Sequence, residues 1–132
     1  MKYILMMNCP RNAYEGMGTW PKKAFEAHIA FMHSLNKDLR EAGELAAAEG
    51  LADPRQAVIV RVGKDGEPVT DGVFPESKEF LAGYWIVDVE SEGRAHAIAA
   101  RASSAPGPDG KPFVIPIEVR QVMSGPPEEL LS

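Results

Sequence analysis

His28 is the residue whose type and setting most suggest chemistry. It falls inside an apolar series, Phe25, His28, Met32, Leu35, Leu39 and Ala42, whose alternating steps of three and four follow one face of a helix. An imidazole can take or give a proton near neutral pH, and a helix built only for packing would not place one there. The plainer account is a core histidine bonded to a nearby carbonyl. His33 and His96 fall away from such stripes and read as solvated or rim residues. Asp71-Gly72 is the second candidate. Asp-Gly commonly marks a turn, but a carboxylate at a strand end is also where loops present reactive groups. Beside an imidazole it would orient the ring and stabilise its cation, making a general acid/base pair. Spacing alone does not bring the two together.

The remaining candidates would bind rather than react. Lys78 stands in a charged cluster with Glu76 and Glu79, a pattern that usually marks a solvated face. Glu118 and Arg120 alternate, so they share one face of a strand. There Arg120 could anchor an anion with Glu118 orienting it, or the two could form a weak surface pair. Tyr84 and Trp85 point to opposite faces, one toward the core and one free for a pocket. Cys9 is the sole cysteine. No motif activates it, and a small buried filler is the plainer role. One Cys and three scattered His do not supply a closed zinc site, and no Gly-rich phosphate loop, HExxH or CxxC is present. No metal or cofactor is therefore expected.

These residues must be positioned by the elements between them. Tyr3 to Met7 reads as a strand buried on both faces, and Asn8 to Gly18 as irregular. A helix spans about Pro21 to Ala42, with Thr19 as its cap and Gly43 as its stop. Leu45 to Ala48 is undecided between strand and helical turn. Ala57 to Val62 is a strand, Gly63 to Gly66 a turn, and Glu67 to Thr70 its hairpin partner. A polar connection from Asp71 to Glu79 leads to a strand at Ala82 to Val89. Ser91 caps a second helix to about Ala102, and Val114 to Val122 alternates as a last strand.

The chain has 132 residues, enough for one domain; 1–123 reads as that domain and 124–132 as a tail. With 14 Lys and Arg against 19 Asp and Glu, it lacks the basic patch of a nucleic-acid binder. No apolar run is long enough for a membrane span or a secretory signal, so a cytoplasmic location is expected. The element order implies an α+β sandwich, two helices on one face of an antiparallel sheet. Such a sheet leaves one face open, and a second copy would cover it, giving a homodimer.

Across nearly the whole chain the sequence resembles the YCII-related proteins of the DGPF type. The resemblance is carried by Met1-Lys2-Tyr3-Ile4-Leu5, the His28 helix, Ala42-Gly43-Glu44-Leu45, Ala48-Glu49-Gly50-Leu51, Thr70 to Glu79 with Gly83-Tyr84, and Glu118-Val119-Arg120. Val73 stands where the family usually has Pro, and Gln121 where Pro often follows. The resemblance implies a ferredoxin-like split β-α-β fold paired as a dimeric α/β barrel, with His28 and Asp71 at the positions of a cleft His and Asp. Two functions follow as expectations. One is a cofactor-free lyase or isomerase in which His28 moves a proton, Asp71 assists, and Lys78 or Arg120 holds a small carboxylate; Tyr84 and Glu118 would complete its binding surface. The other is a non-catalytic binding or regulatory dimer linked to an extracytoplasmic-function sigma factor.

Overall fold

The computed structural model describes residues 1–72 and 79–125. Strand β1 (Lys2–Pro10) carries the apolar run, with Tyr3, Leu5 and Cys9 buried on one side. Short helix α1 (Arg11–Met17) follows directly, so the segment expected to be irregular is strand and then helix. Pro10 ends the ladder and serves as the helix cap, a position where its missing N–H costs nothing.

Helix α2 (Lys22–Glu41) has Pro21, not Thr19, as its cap; the Thr19 hydroxyl instead donates to the Gly16 carbonyl. Its end is the expected one. Gly43 adopts φ +73°, and the Gly43 and Glu44 amides donate back to Arg40 and Leu39. This closes the last turn in a form that a side chain would strain. Leu45–Gly50 forms strand β2, resolving the undecided stretch. A 3₁₀ turn at Pro54–Gln56 leads to β3 (Val58–Val62), which pairs with β4 (Pro68–Gly72). Asp71 and Gly72 thus belong to the hairpin rather than to the connection after it. Strand β5 (Glu79–Asp88) precedes α3 (Glu92–Ser103), whose first turn is capped by the Ser91 hydroxyl as expected. Strand β6 (Ile117–Gln121) is shorter than the alternation suggested. Val114, with φ +37°, breaks the extended path before it.

The fold is mixed α+β, with three helices among the described residues where two were expected. The main sheet is antiparallel in the order β2-β5-β1-β6, and β3-β4 is a separate two-stranded sheet. Leu35 and Leu39 of α2 and Ala95, Ile98, Ala99 and Ala102 of α3 close over Tyr3, Leu5, Trp85 and Val87. Both long helices therefore cover one face. Register places Ala47, Ile86, Ile4 and Arg120 in one row across the other face, and Glu49, Tyr84, Met6 and Glu118 in the next. No described helix is long and apolar enough to cross a membrane.

Candidate functional site

Only the C-terminal half of the α2 stripe enters the core: Leu35 and Leu39 are sealed, while Phe25 is 43% exposed. The N-terminal half instead forms a wall of a cavity of about 850 Å³, together with α1, the β1 and β5 strands and the turn at Pro54. Phe25, His28, Ile29, Met32 and Asn36 contribute from α2, and Tyr14, Met7, Phe80 and Trp85 from the facing elements. The volume suits a small organic molecule, and the walls are mainly apolar with a few polar groups converging. Gly83 and Gly50 form part of the floor, where β2 and β5 approach so closely that a Cβ on Gly83 would sit 2.9 Å from the Glu49 carbonyl oxygen.

His28 is the buried polar side chain of this wall. Its Nδ1 donates to the Pro106 carbonyl at 3.0 Å. A carbonyl only accepts, so Nδ1 carries the hydrogen and the Nε2 of a neutral ring keeps its lone pair. Nε2 makes no hydrogen bond among the described residues, and no fully buried side-chain nitrogen or oxygen there lacks a partner. Nε2 therefore keeps some exposure, on a ring that lines the cavity.

The Pro106 carbonyl is held by a tight loop. Gly107 N–H donates to the Lys111 carbonyl, Phe113 N–H to that of Ala105, and Gly110 turns the chain at φ +81°. Phe113 meets Trp20 edge to face at 4.8 Å, and Trp20 meets His28 likewise at 5.6 Å. The ring is thus fixed by a bond on one side and an aromatic edge on another. Across the cavity, Trp85 Nε1 donates to Asn36 Oδ1 at 2.7 Å, leaving the Asn36 amide hydrogens uncommitted to that bond.

Charge gathers among the other lining residues: Arg11, Glu15, Glu49, Asp53 and Arg55. Asp53 Oδ2 accepts from Arg55 Nη2 at 2.6 Å, and Nε bonds both carboxylate oxygens. Asp53 also accepts from the Arg55 backbone N–H, as cap of the 3₁₀ turn. The Arg55 side-chain bonds first, and that backbone bond second, hold the Asp53 carboxyl at about 2. Nη1 of Arg55 makes no hydrogen bond among the described residues.

Of the residues singled out from sequence, His28 lines the cavity, and Tyr84 borders it from β5 although register puts it in the row of the helix-free face. Asp71 lies on the β3-β4 hairpin, exposed, 3.9 Å from Arg61, and does not line it. Glu118 and Arg120 are exposed on the helix-free face of the main sheet, also away from it. Lys78 lies outside the described residues. Cys9 is buried, with its thiol donating to the Pro10 carbonyl; burial first, and Glu79 second, push its pKa up, which makes it a poor nucleophile. Sequence reasoning missed Asn36, Tyr14, Phe80 and Arg55. Asn36 was legible, since it continues the four-residue steps from His28 through Met32. The Asp-Pro-Arg sequence at 53–55 likewise carries a capping Asp and a Pro at the first helical position. Tyr14 was hidden because its helix was not recognised.

No curated protein matches the chain. A family model does: that of the YCII-related domain, over residues 1–107, which include every element that forms the cavity wall and the Pro106 carbonyl that holds His28. The chain belongs to the YCII-related family.

Proposed function

We propose that the chain is a cofactor-free small-molecule enzyme of lyase or isomerase type, with His28 as its proton carrier. The observation that carries this is the polarity of the ring: Nδ1 is spent on Pro106, and Nε2 is left without a bond among the described residues on a ring that lines a cavity of about 850 Å³. A substrate proton on carbon beside a carbonyl, or on a hydroxyl, would pass to Nε2. The resulting imidazolium would retain its Nδ1–H bond to Pro106, which stabilises the charge. In this reading the carbonyl orients the base, the part that Asp71 was expected to play. The substrate is a small, largely apolar molecule with one acidic end. Arg55 takes the anchoring role expected of Lys78 and Arg120, because Asp53 fixes its fork and leaves Nη1 available.

The strand order β2-β5-β1-β6, with α2 and α3 on one face, supports a ferredoxin-like fold. The half-buried Ile4, Met6, Tyr84 and Ile86 on the other face support pairing with a second copy. The regulatory reading draws on a different observation, the placement of Asp71 on the hairpin without a ring nitrogen beside it.

The test is solvent exchange. A panel of small hydroxy- and keto-carboxylates is incubated in D₂O with wild-type protein and with His28→Ala, and deuterium uptake beside the carbonyl is followed by NMR. Uptake with wild type that falls by at least about 100-fold in the variant is the expected result. Equal uptake, or none on any compound that binds, overturns the enzyme reading in favour of a binding protein.

A further inference from the structure

Asn36 carries a polar group that the fold does not use. The Trp85 indole Nε1 donates to its Oδ1 at 2.7 Å. An indole only donates, so the amide atom facing it is the oxygen, and the NH₂ group is turned the other way. That NH₂ makes no hydrogen bond among the described residues and keeps some exposure, on a side chain that lines the cavity. A fixed pair of N–H donors on a mainly apolar wall suits an acceptor brought from outside the chain.

The place of Asn36 in the cavity limits what that acceptor is. Its neighbours in the wall are Met32, Ala48 and Trp85, the last two paired across β2 and β5. The cations among the lining residues, Arg11 and Arg55, belong to the opposite end. Arg11 opens α1 beside the Pro10–Glu79 pair, and Arg55 is near enough to Tyr14 for the two to interact electrostatically. Tyr14 packs on Phe80, which lies about 16 Å along β5 from Trp85. A second carboxylate at the Asn36 end would be buried without a cation, whereas a neutral carbonyl needs none. Asn36 also stands about 12 Å beyond His28 along the axis of α2, so the two groups read different atoms of one ligand.

We propose that Asn36 is the specificity-determining residue of the cavity, its NH₂ group taking a ketone oxygen on a ligand whose carboxylate Arg55 holds at the far end. This rests on the reading of the cavity as a site for a small apolar acid and names its substrate class: an oxo-carboxylate with the ketone several carbons from the acid. The Trp85 N–H sets which way the amide points.

The test is binding, which needs no turnover. Dissociation constants are measured by calorimetry on the full chain for benzoylpropionate, benzoylbutyrate and benzoylvalerate, and for phenylbutyrate, phenylvalerate and phenylhexanoate, which carry CH₂ in place of the ketone. Wild type should bind at least one ketone about fivefold or more tighter than its CH₂ analogue, the worth of one hydrogen bond. Asn36→Asp keeps an oxygen for the Trp85 N–H and removes both donors, so the preference should vanish or reverse; a role confined to holding Trp85 predicts no change. On unmodified protein, the Asn36 side-chain amide protons should move in NMR with the ketone and not with its analogue, a readout that needs no variant to fold. Equal binding of both members of every pair, or a preference that persists in Asn36→Asp, overturns the role of Asn36 and leaves the reading of the cavity standing. Absence of binding by all of these compounds overturns the apolar-acid reading and this inference with it.

Discussion

Replacing His28 by Ala separates the two roles that the ring combines. The structural loss has two identifiable parts. The Nδ1 bond to Pro106 is partly buried, and such bonds contribute about 0.5–1.5 kcal/mol. The edge contact with Trp20 contributes about 0.5–1.5 kcal/mol. A large void penalty does not arise, because the ring borders an open cavity rather than sealed core. The expected destabilisation is about 2 kcal/mol, or about 7 °C in Tm for a chain of this size. The variant therefore stays folded, and loss of turnover can be assigned to the missing base. The assay is urea denaturation of wild type, His28→Ala and His28→Gln, whose amide can still donate to a carbonyl, together with ¹⁵N NMR of the neutral wild-type ring. A spectrum with the hydrogen on Nε2, or a loss below about 0.5 kcal/mol in both variants, refutes the Pro106 bond. A loss above about 4 kcal/mol means that the ring is true core, and the lone pair facing the cavity was misread.

Three further outcomes are expected. Gly83→Ala forces a Cβ to within 2.9 Å of the Glu49 carbonyl oxygen; backbone must shift, so β2 separates from β5 at a cost of about 1–3 kcal/mol, read by denaturation. Val114→Gly relieves a β-branched residue at φ +37° that is 67% exposed, and should raise stability by about 1 kcal/mol, net of glycine's entropy. Asp53 has its folded pKa lowered from 3.8 to about 2. Its pairing with Arg55 therefore contributes fully above about pH 4 and is lost as pH falls through 2. The Asp53 carboxyl resonance should titrate near 2, and Asp53→Asn should remove pH dependence of stability from that interval; a midpoint near 3.8 would show that the Arg55 bonds do not persist in solution.

The elements were legible wherever one physical cause decided them. The 3–4 spacing of α2 and its Gly43 stop, the β-branched run of β3 and the Ser91 cap of α3 each carry their reason locally. What failed locally was decided elsewhere. Arg11–Met17 holds Gly16 and follows Pro10, both breakers by rule, yet it is helical; Tyr14 there packs edge to face on Phe80 of β5 at 5.0 Å, a contact that sequence distance conceals. His28 shows the same division. Its place on an apolar stripe was visible, and so was the prospect of a carbonyl partner. The stripe, however, implied one buried face, and the helix divides it: Leu35 and Leu39 are 0% and 1% exposed, while Phe25 opens outward. There the turn at Pro54 and helix α1 line the same cavity as Phe25, His28 and Met32, so this half of the stripe borders a gap. A histidine bonded to a carbonyl in sealed core is inert, whereas the same bond at the edge of a cavity fixes a tautomer and leaves a base exposed. The difference lies in the free nitrogen's surroundings: Pro106, 78 positions along the chain, holds the bonded nitrogen, while the cavity beside the ring is walled by residues between 7 and 85.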